Sequence, residues 1–149
     1  MSMWSVGAAV SDDGFTWERL PEPVLTAGEE GSWDCIGIGV RSLAVVKNQL
    51  LMFYEAVDAA GKHAIGIAES VDGVVWRKCQ VPGSAQPGGP VLSKGPAGAF
   101  DDKHVGTPYV VPAPVDGTRP WRLYFVGAPL AATMETPLLS IGVAESSDG

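Results

Sequence analysis

One motif occurs three times along the chain and constrains it more than any other feature. Ser5-Val-Gly-Ala-Ala-Val-Ser11-Asp-Asp-Gly14-Phe-Thr-Trp17 is matched by Ala64-Ile-Gly-Ile-Ala-Glu-Ser70-Val-Asp-Gly73-Val-Val-Trp76, and then by Ser140-Ile-Gly-Val-Ala-Glu-Ser146-Ser-Asp-Gly149. A second motif follows the first two copies: Pro23-Val-Leu-Thr-Ala-Gly28 runs to Trp33-Asp34, and Pro90-Val-Leu-Ser-Lys-Gly95 runs to Phe100-Asp101. The step from Pro to Asp has the same length both times. A third pair sets Leu50-Leu-Met-Phe-Tyr54 against Trp121-Arg-Leu-Tyr-Phe125. The unit from Gly73 to Gly149 is longer than that from Gly14 to Gly73, with insertions before Pro90 and after Asp101. Motifs that recur in the same order define structural repeats, with units of approximately 14–73 and 73–149 in a single domain.

Each repeat reads as strands. The apolar stretch before Ser-x-Asp-Gly is short, Asp-Gly suits a tight hairpin, and the Ser and Asp side chains can bond back to loop amides. Trp17 and Trp76 then open the return strand and pack across it. Val40 to Val46 and Leu50 to Ala56 form a second hairpin turning at Lys47-Asn48-Gln49. A helix competes for 40–60, where Leu43, Val46, Leu50, Phe53 and Val57 fall at helical spacing and neither Gly nor Pro occurs. The equivalent stretch of the second repeat carries Pro108, Pro112, Pro114 and Pro120, which no helix interior accepts. Four strands per repeat is the content of a propeller blade, so the expected class is all-β, built from four-stranded antiparallel blades.

Composition narrows the partners. Apolar residues at 46% supply a core, and a net charge of −7 opposes binding to nucleic acid or to an anionic membrane. No stretch approaches the ~18 apolar residues of a membrane span, and the opening Met-Ser-Met-Trp lacks a signal peptide's basic-then-apolar pattern. The expectation is a soluble protein with no assigned compartment. Cys35 and Cys79 lack metal-ligand spacing, and nothing in the sequence supports a disulfide between them.

These motifs resemble the five-bladed β-propeller superfamily of arabinanases, invertases and levansucrases, with related glycoside phosphorylases. The matching residues are Ile65-Gly66-Ile67-Ala68-Glu69-Ser70, Pro90-Val91-Leu92, Phe100-Asp101, Pro108-Tyr109-Val110 and Tyr124-Phe125-Val126-Gly127. Sialidase-type propellers use a similar Ser/Asp/Gly/Trp hairpin, but with an extra residue between Asp and Gly. The resemblance implies part of a five-bladed propeller that acts on or binds oligosaccharides in the manner of glycoside hydrolases. Two repeats do not close a ring that takes at least four blades. The chain is therefore expected to be a piece of a longer protein, or to complete its propeller by self-association or with a partner subunit. A non-catalytic binding or assembly module is the competing reading.

Glycoside hydrolysis takes two carboxyl groups flanking the scissile bond. In the resembled propellers these come from inner strands facing the central channel, which here implies Asp34 and Asp102 as catalytic candidates. Asp34 matches Asp101 in the repeat, and that recurrence equally fits a structural role. Asp102 has Cys35 as its counterpart, so it is specific to its own repeat. Asp101 and His104, in the polar run 101–104, are candidate substrate contacts, as is the pair Arg41 and Glu55. Arg41 stands in an otherwise apolar strand and so calls for a carboxylate, which Glu55 on the next strand would supply. His63 falls in an expected solvent-exposed turn. With no second His at ligand spacing near His104, no metal is expected, and no phosphate loop calls for a nucleotide cofactor.

Overall fold

A computed structural model describes residues 4–133 and 135–147. The last two residues of the third box, Asp148 and Gly149, lie outside the described residues. In chain order the strands are β1 (Ala9–Val10), β2 (Glu18–Arg19), β3 (Gly37–Val46), β4 (Gln49–Val57), β5 (His63–Ser70), β6 (Arg77–Lys78), β7 (His104–Val111), β8 (Trp121–Ala128) and β9 (Ser140–Ser146). They form three antiparallel sheets, β1-β2, β3-β4-β5-β6 and β7-β8-β9. No helix occurs among the described residues. The four-stranded sheet is a blade, flanked by parts of two others. A box-to-box unit such as 14–73 thus takes in β2 of one sheet and β3–β5 of the next.

The boxes are self-contained turns. Ser70 Oγ accepts from the Gly73 amide (2.9 Å), Asp72 Oδ1 accepts from Val74 and Val75 (2.9 and 2.8 Å), and the Trp76 indole donates to the Gly73 carbonyl (2.9 Å). Ser11, Asp13, Gly14 and Trp17 repeat the pattern atom for atom. Gly14 and Gly73 both take the positive φ at which a side chain is strained. The amides of Thr16 and Phe15 hold the Asp13 carboxyl down at about 2.

Stretch 40–60 is a hairpin, not a helix. β4 is central and buried on both faces, which removes the polar alternation that marks a half-exposed strand. Its side chains still alternate with period two. Met52, Tyr54 and Ala56 join Val6, Leu25, Ile38 and Ala68 in one core, while Phe53 joins Ala44, Ile65, Val105, Val110 and Phe125 in the other. Tyr54 and Ile65 are fully buried. Burying a large apolar side chain of this kind stabilises a fold by about 1.5–3 kcal/mol.

The second motif bolts one sheet to the next. Leu25 and Leu92 pair with Val6 and Ile65 through backbone hydrogen bonds of 2.8 and 2.9 Å. Further along, Trp33 stacks on Tyr54 (centroids 5.7 Å apart) and Phe100 on Phe125 (6.0 Å). The box glycines make room for these rings: a Cβ on Gly66 would lie 2.6 Å from the Trp33 ring, and one on Gly142 2.7 Å from that of Phe100.

Candidate functional site

Both first strands of the larger sheets carry a β-bulge near their start. In β3 the register slips between Ile38 and Arg41, and in β7 between Gly106 and Tyr109. Bulges re-aim side chains and gather at sheet rims. Here they bring the start of β7 against the end of β4. Glu55 reaches across this seam. Its Oε2 accepts from the Thr107 amide (2.8 Å), in a bulge where Thr107 itself takes a positive φ. Gly106 is needed there, since a Cβ would sit 2.5 Å from the Glu55 carboxyl.

Glu55 Oε1 meets His63 Nδ1 at 2.6 Å. Glu55 pairs with Ile65 across the β4–β5 ladder, so His63 is its diagonal neighbour on the same face. The His63 ring lies 4.8 Å, centroid to centroid, from that of His104 at the start of β7. Burial pushes the Glu55 carboxyl up, but the His63 and Thr107 hydrogen bonds and the charges of His63 and His104 outweigh it and leave the pKa lowered. Burial, then the charges of His63 and Lys103, lower that of His104 against the opposing pull of Glu55.

These shifts set a pH dependence. A carboxyl whose folded pKa is lowered stabilises the fold above its unfolded value, and that contribution is lost as pH falls through the folded pKa. A histidine with a lowered folded pKa lets the unfolded chain bind its proton first, so it too costs stability on acidification. Thermal stability is therefore expected to fall in two stages, first below the ordinary histidine value of 6.5 and again below the ordinary glutamate value of 4.5. Melting curves from pH 8 down to about 2.5 check this, and His104→Gln should remove the upper stage. An unchanged upper stage in that variant would contradict the assignment.

The seam opens onto a cleft of about 710 Å³ lined by Trp4, Ser5, Gly39, Arg41, Glu55 and His63, among others. The Trp4 carbonyl accepts from the Ile38 amide (3.2 Å), and Trp4, 54% exposed, lines the cleft. The structure thus brings three of the six sequence candidates together: Arg41 and Glu55 in the cleft, and His104 behind His63. The expected Arg41–Glu55 ion pair is not formed. Arg41 is exposed, and both Glu55 oxygens are taken by His63 and Thr107. His63 is likewise a half-buried partner and not a free turn residue. Its signal in the sequence is a histidine shortly after Glu55, across a turn that Asp58 caps by accepting from Ala60 and Lys62.

The aspartates lie elsewhere. Asp34 is 2% exposed and pairs with Lys78, with Ser32 Oγ donating to it at 2.9 Å. Asp101 is buried beneath Gly95, its repeat equivalent of Gly28 over Asp34; in each case a Cβ on the glycine would meet the carboxylate at 2.2 Å. Asp102 accepts from the Gly98 amide (2.8 Å) and the Leu130 amide (2.6 Å), and these bonds lower its pKa. A second cavity, about 580 Å³, lies between Trp33 and the 80–90 loop. Its one carboxylate, Asp58, is committed to its own turn. Among the described residues no cluster of His, Cys, Asp and Glu is arranged for a metal ion, and no helix is long and apolar enough to cross a membrane.

No family model and no curated protein matches the chain. Solved structures do. A family 117 glycoside hydrolase from the marine bacterium Zobellia galactanivorans superposes with a TM-score of 0.70 at 18% identity, covering 94% of this chain and 37% of that one. An N-acetylgalactosamine deacetylase from F. plautii, in complex with blood group B trisaccharide, gives 0.63 at 21% identity over 94% of this chain and 40% of that one. A structure described with the GH130 family of mannoside phosphorylases, which contains hydrolases that target β-1,2 mannosidic linkages in Candida mannan, gives 0.60 at 12% identity over 99% and 40%. The chain spans less than half the length of each. What these matches share with it is the fold: propeller blades of a glycoside hydrolase-like type.

Proposed function

We propose that the chain forms part of a five-bladed, carbohydrate-active propeller and that the Glu55–His63 cleft binds oligosaccharide. The observation that carries this is a carboxylate–histidine pair, tied across two blades, opening into a cleft with an exposed Trp4 at its rim. The pair offers an acceptor and a donor to sugar hydroxyls, and an aromatic face suits the C–H surface of a pyranose. The fold it shares with carbohydrate-active proteins supports the reading, although fold alone assigns no activity.

Hydrolysis takes two carboxyl groups, and Glu55 is the one carboxylate among the described cleft-lining residues. In this proposal the cleft binds sugar, and a second carboxylate completes any hydrolytic site. Asp34 and Asp102, the candidates drawn from the resemblance, are proposed to hold their loops. Isothermal titration with arabino-, fructo- and manno-oligosaccharides tests the reading. At least one series is expected to bind, and Glu55→Gln to weaken it about tenfold or more, the usual worth of a hydrogen bond to a charged group. Binding by none, or equal binding by the variant, would overturn it.

An assembly module is the second reading, favoured by one observation. The outer face of the third sheet exposes Tyr109 (64%), Ile141 (80%) and Val143 (55%), whereas Ile65, the repeat equivalent of Ile141, is fully covered by the neighbouring sheet. In this reading that face receives a further blade, from a partner subunit or the remainder of a longer chain.

A further inference from the structure

Resting on the reading of the cleft as a sugar site, we propose that it selects glycans carrying a carboxylate, that is, uronic acids, and that Arg41 is the group that recognises it. The cleft holds a carboxylate paired with a histidine, and a guanidinium with no partner among the described residues. Glu55 spends one contact of each oxygen, on His63 and on the Thr107 amide, so its charge is partnered within the protein while a lone pair on each oxygen stays available to a sugar hydroxyl. Arg41 lines the same cleft and has no hydrogen bond or ion pair among the described residues. Arg77 and Arg122, by contrast, are each held by a strand glutamate, Glu69 and Glu145.

The placement of Arg41 follows from the backbone. The bulge sets Gly39 and Val40 opposite the single residue Glu55, and Arg41 resumes the ladder opposite Tyr54. The two-for-one step bends β3, and Arg41 lines the cleft together with Trp4, Glu55 and His63. A neutral sugar presents hydroxyls, which Glu55 and His63 can serve. A guanidinium presents a planar fork of donors and no acceptor, which matches a carboxylate in two parallel hydrogen bonds. Around it the chain has a net charge of −7, so anions gain nothing from the overall field and a local cation must supply the attraction. A pyranose lying on Trp4 with its C6 carboxylate on Arg41 uses both features of the wall at once.

The test compares oligosaccharides of glucuronate or galacturonate with their carboxyl-reduced counterparts, by isothermal titration at low and moderate salt. The acid member of a pair is expected to bind at least tenfold tighter at low salt, with the advantage shrinking as salt rises. Arg41→Gln should erase the preference for the acid ligand over the reduced one, and Arg41→Lys should restore only part of it. Arg41 is exposed, and circular dichroism melts check that both variants fold. Equal binding of acid and reduced ligands, or a preference that survives Arg41→Gln, would overturn the inference and leave the sugar cleft standing. Inorganic phosphate that displaces the acid ligand as well as free glucuronate does would also overturn it, since Arg41 would then be a site for free anions. Failure of every sugar, neutral or acidic, would instead bring down the cleft reading and this inference with it.

Discussion

Replacing Gly66 with alanine is expected to destabilise the protein by about 3 kcal/mol or more, at the upper end of what overpacking costs. The added Cβ would lie 2.2 Å from the Gly88 carbonyl oxygen and 2.6 Å from the Trp33 ring. Both neighbours are held where they are. The Gly88 oxygen accepts from the Ile67 amide (2.9 Å), and Trp33 is stacked on the buried Tyr54. Gly7 is the same box glycine in the first copy, and a Cβ there meets nothing within 4 Å. Gly7→Ala should therefore be close to neutral. Urea unfolding of the two variants separates a packing requirement from a shared backbone one. Equal losses would show that the box glycine serves its own strand and not the aromatic laid on it.

Asp34→Ala is expected to cost about 3–5 kcal/mol, the range for removing one partner of a buried ion pair. Asp34 is buried and the Lys78 side chain largely so, and the deletion strands an ammonium group with little water to compensate it. The loop suffers too, because Ser32 Oγ loses its acceptor. Most of the loss should be recovered in Asp34→Ala/Lys78→Met, which removes the stranded charge and keeps an apolar stem. This double variant distinguishes a structural carboxylate from a catalytic one. A catalytic Asp34 could be replaced with little change in the unfolding midpoint, and wild-type stability of Asp34→Ala would contradict the structural assignment.

The parts of this architecture that sequence conveys are the local ones. Every hydrogen bond of the Ser-x-Asp-Gly turn joins near neighbours in the chain, so Ser70, Asp72 and Gly73 announce their roles where they stand. The strand reading of 40–60 comes from comparing repeats, because burial of β4 on both faces erases its own periodicity. Trp33 and Phe100 are visible as a recurring aromatic, but the reason for the recurrence lies in Gly66 and Gly142, on strands far along the chain. The cleft is the least legible. Glu55, His63 and His104 are joined by a hairpin and by the packing of two sheets; the nearness of His63 to Glu55 across a turn shows in the sequence, whereas the contact with His104 and the freedom of Arg41 do not. Arg41 reads as half of an ion pair because its strand is apolar, yet its face of β3 is exposed at Leu43 and Val45 as well.

The central claim is that sugar binds at the Glu55–His63 seam, and chemical-shift mapping tests it most directly. Isotope-labelled protein is titrated with the oligosaccharides above, and amide, indole and imidazole signals are followed residue by residue. The account predicts perturbations that centre on Trp4, Gly39, Arg41, Glu55 and His63 and that disappear in Glu55→Gln. Shifts gathered instead around Trp33 and Gln86, or around Asp34 and Asp102, would contradict it.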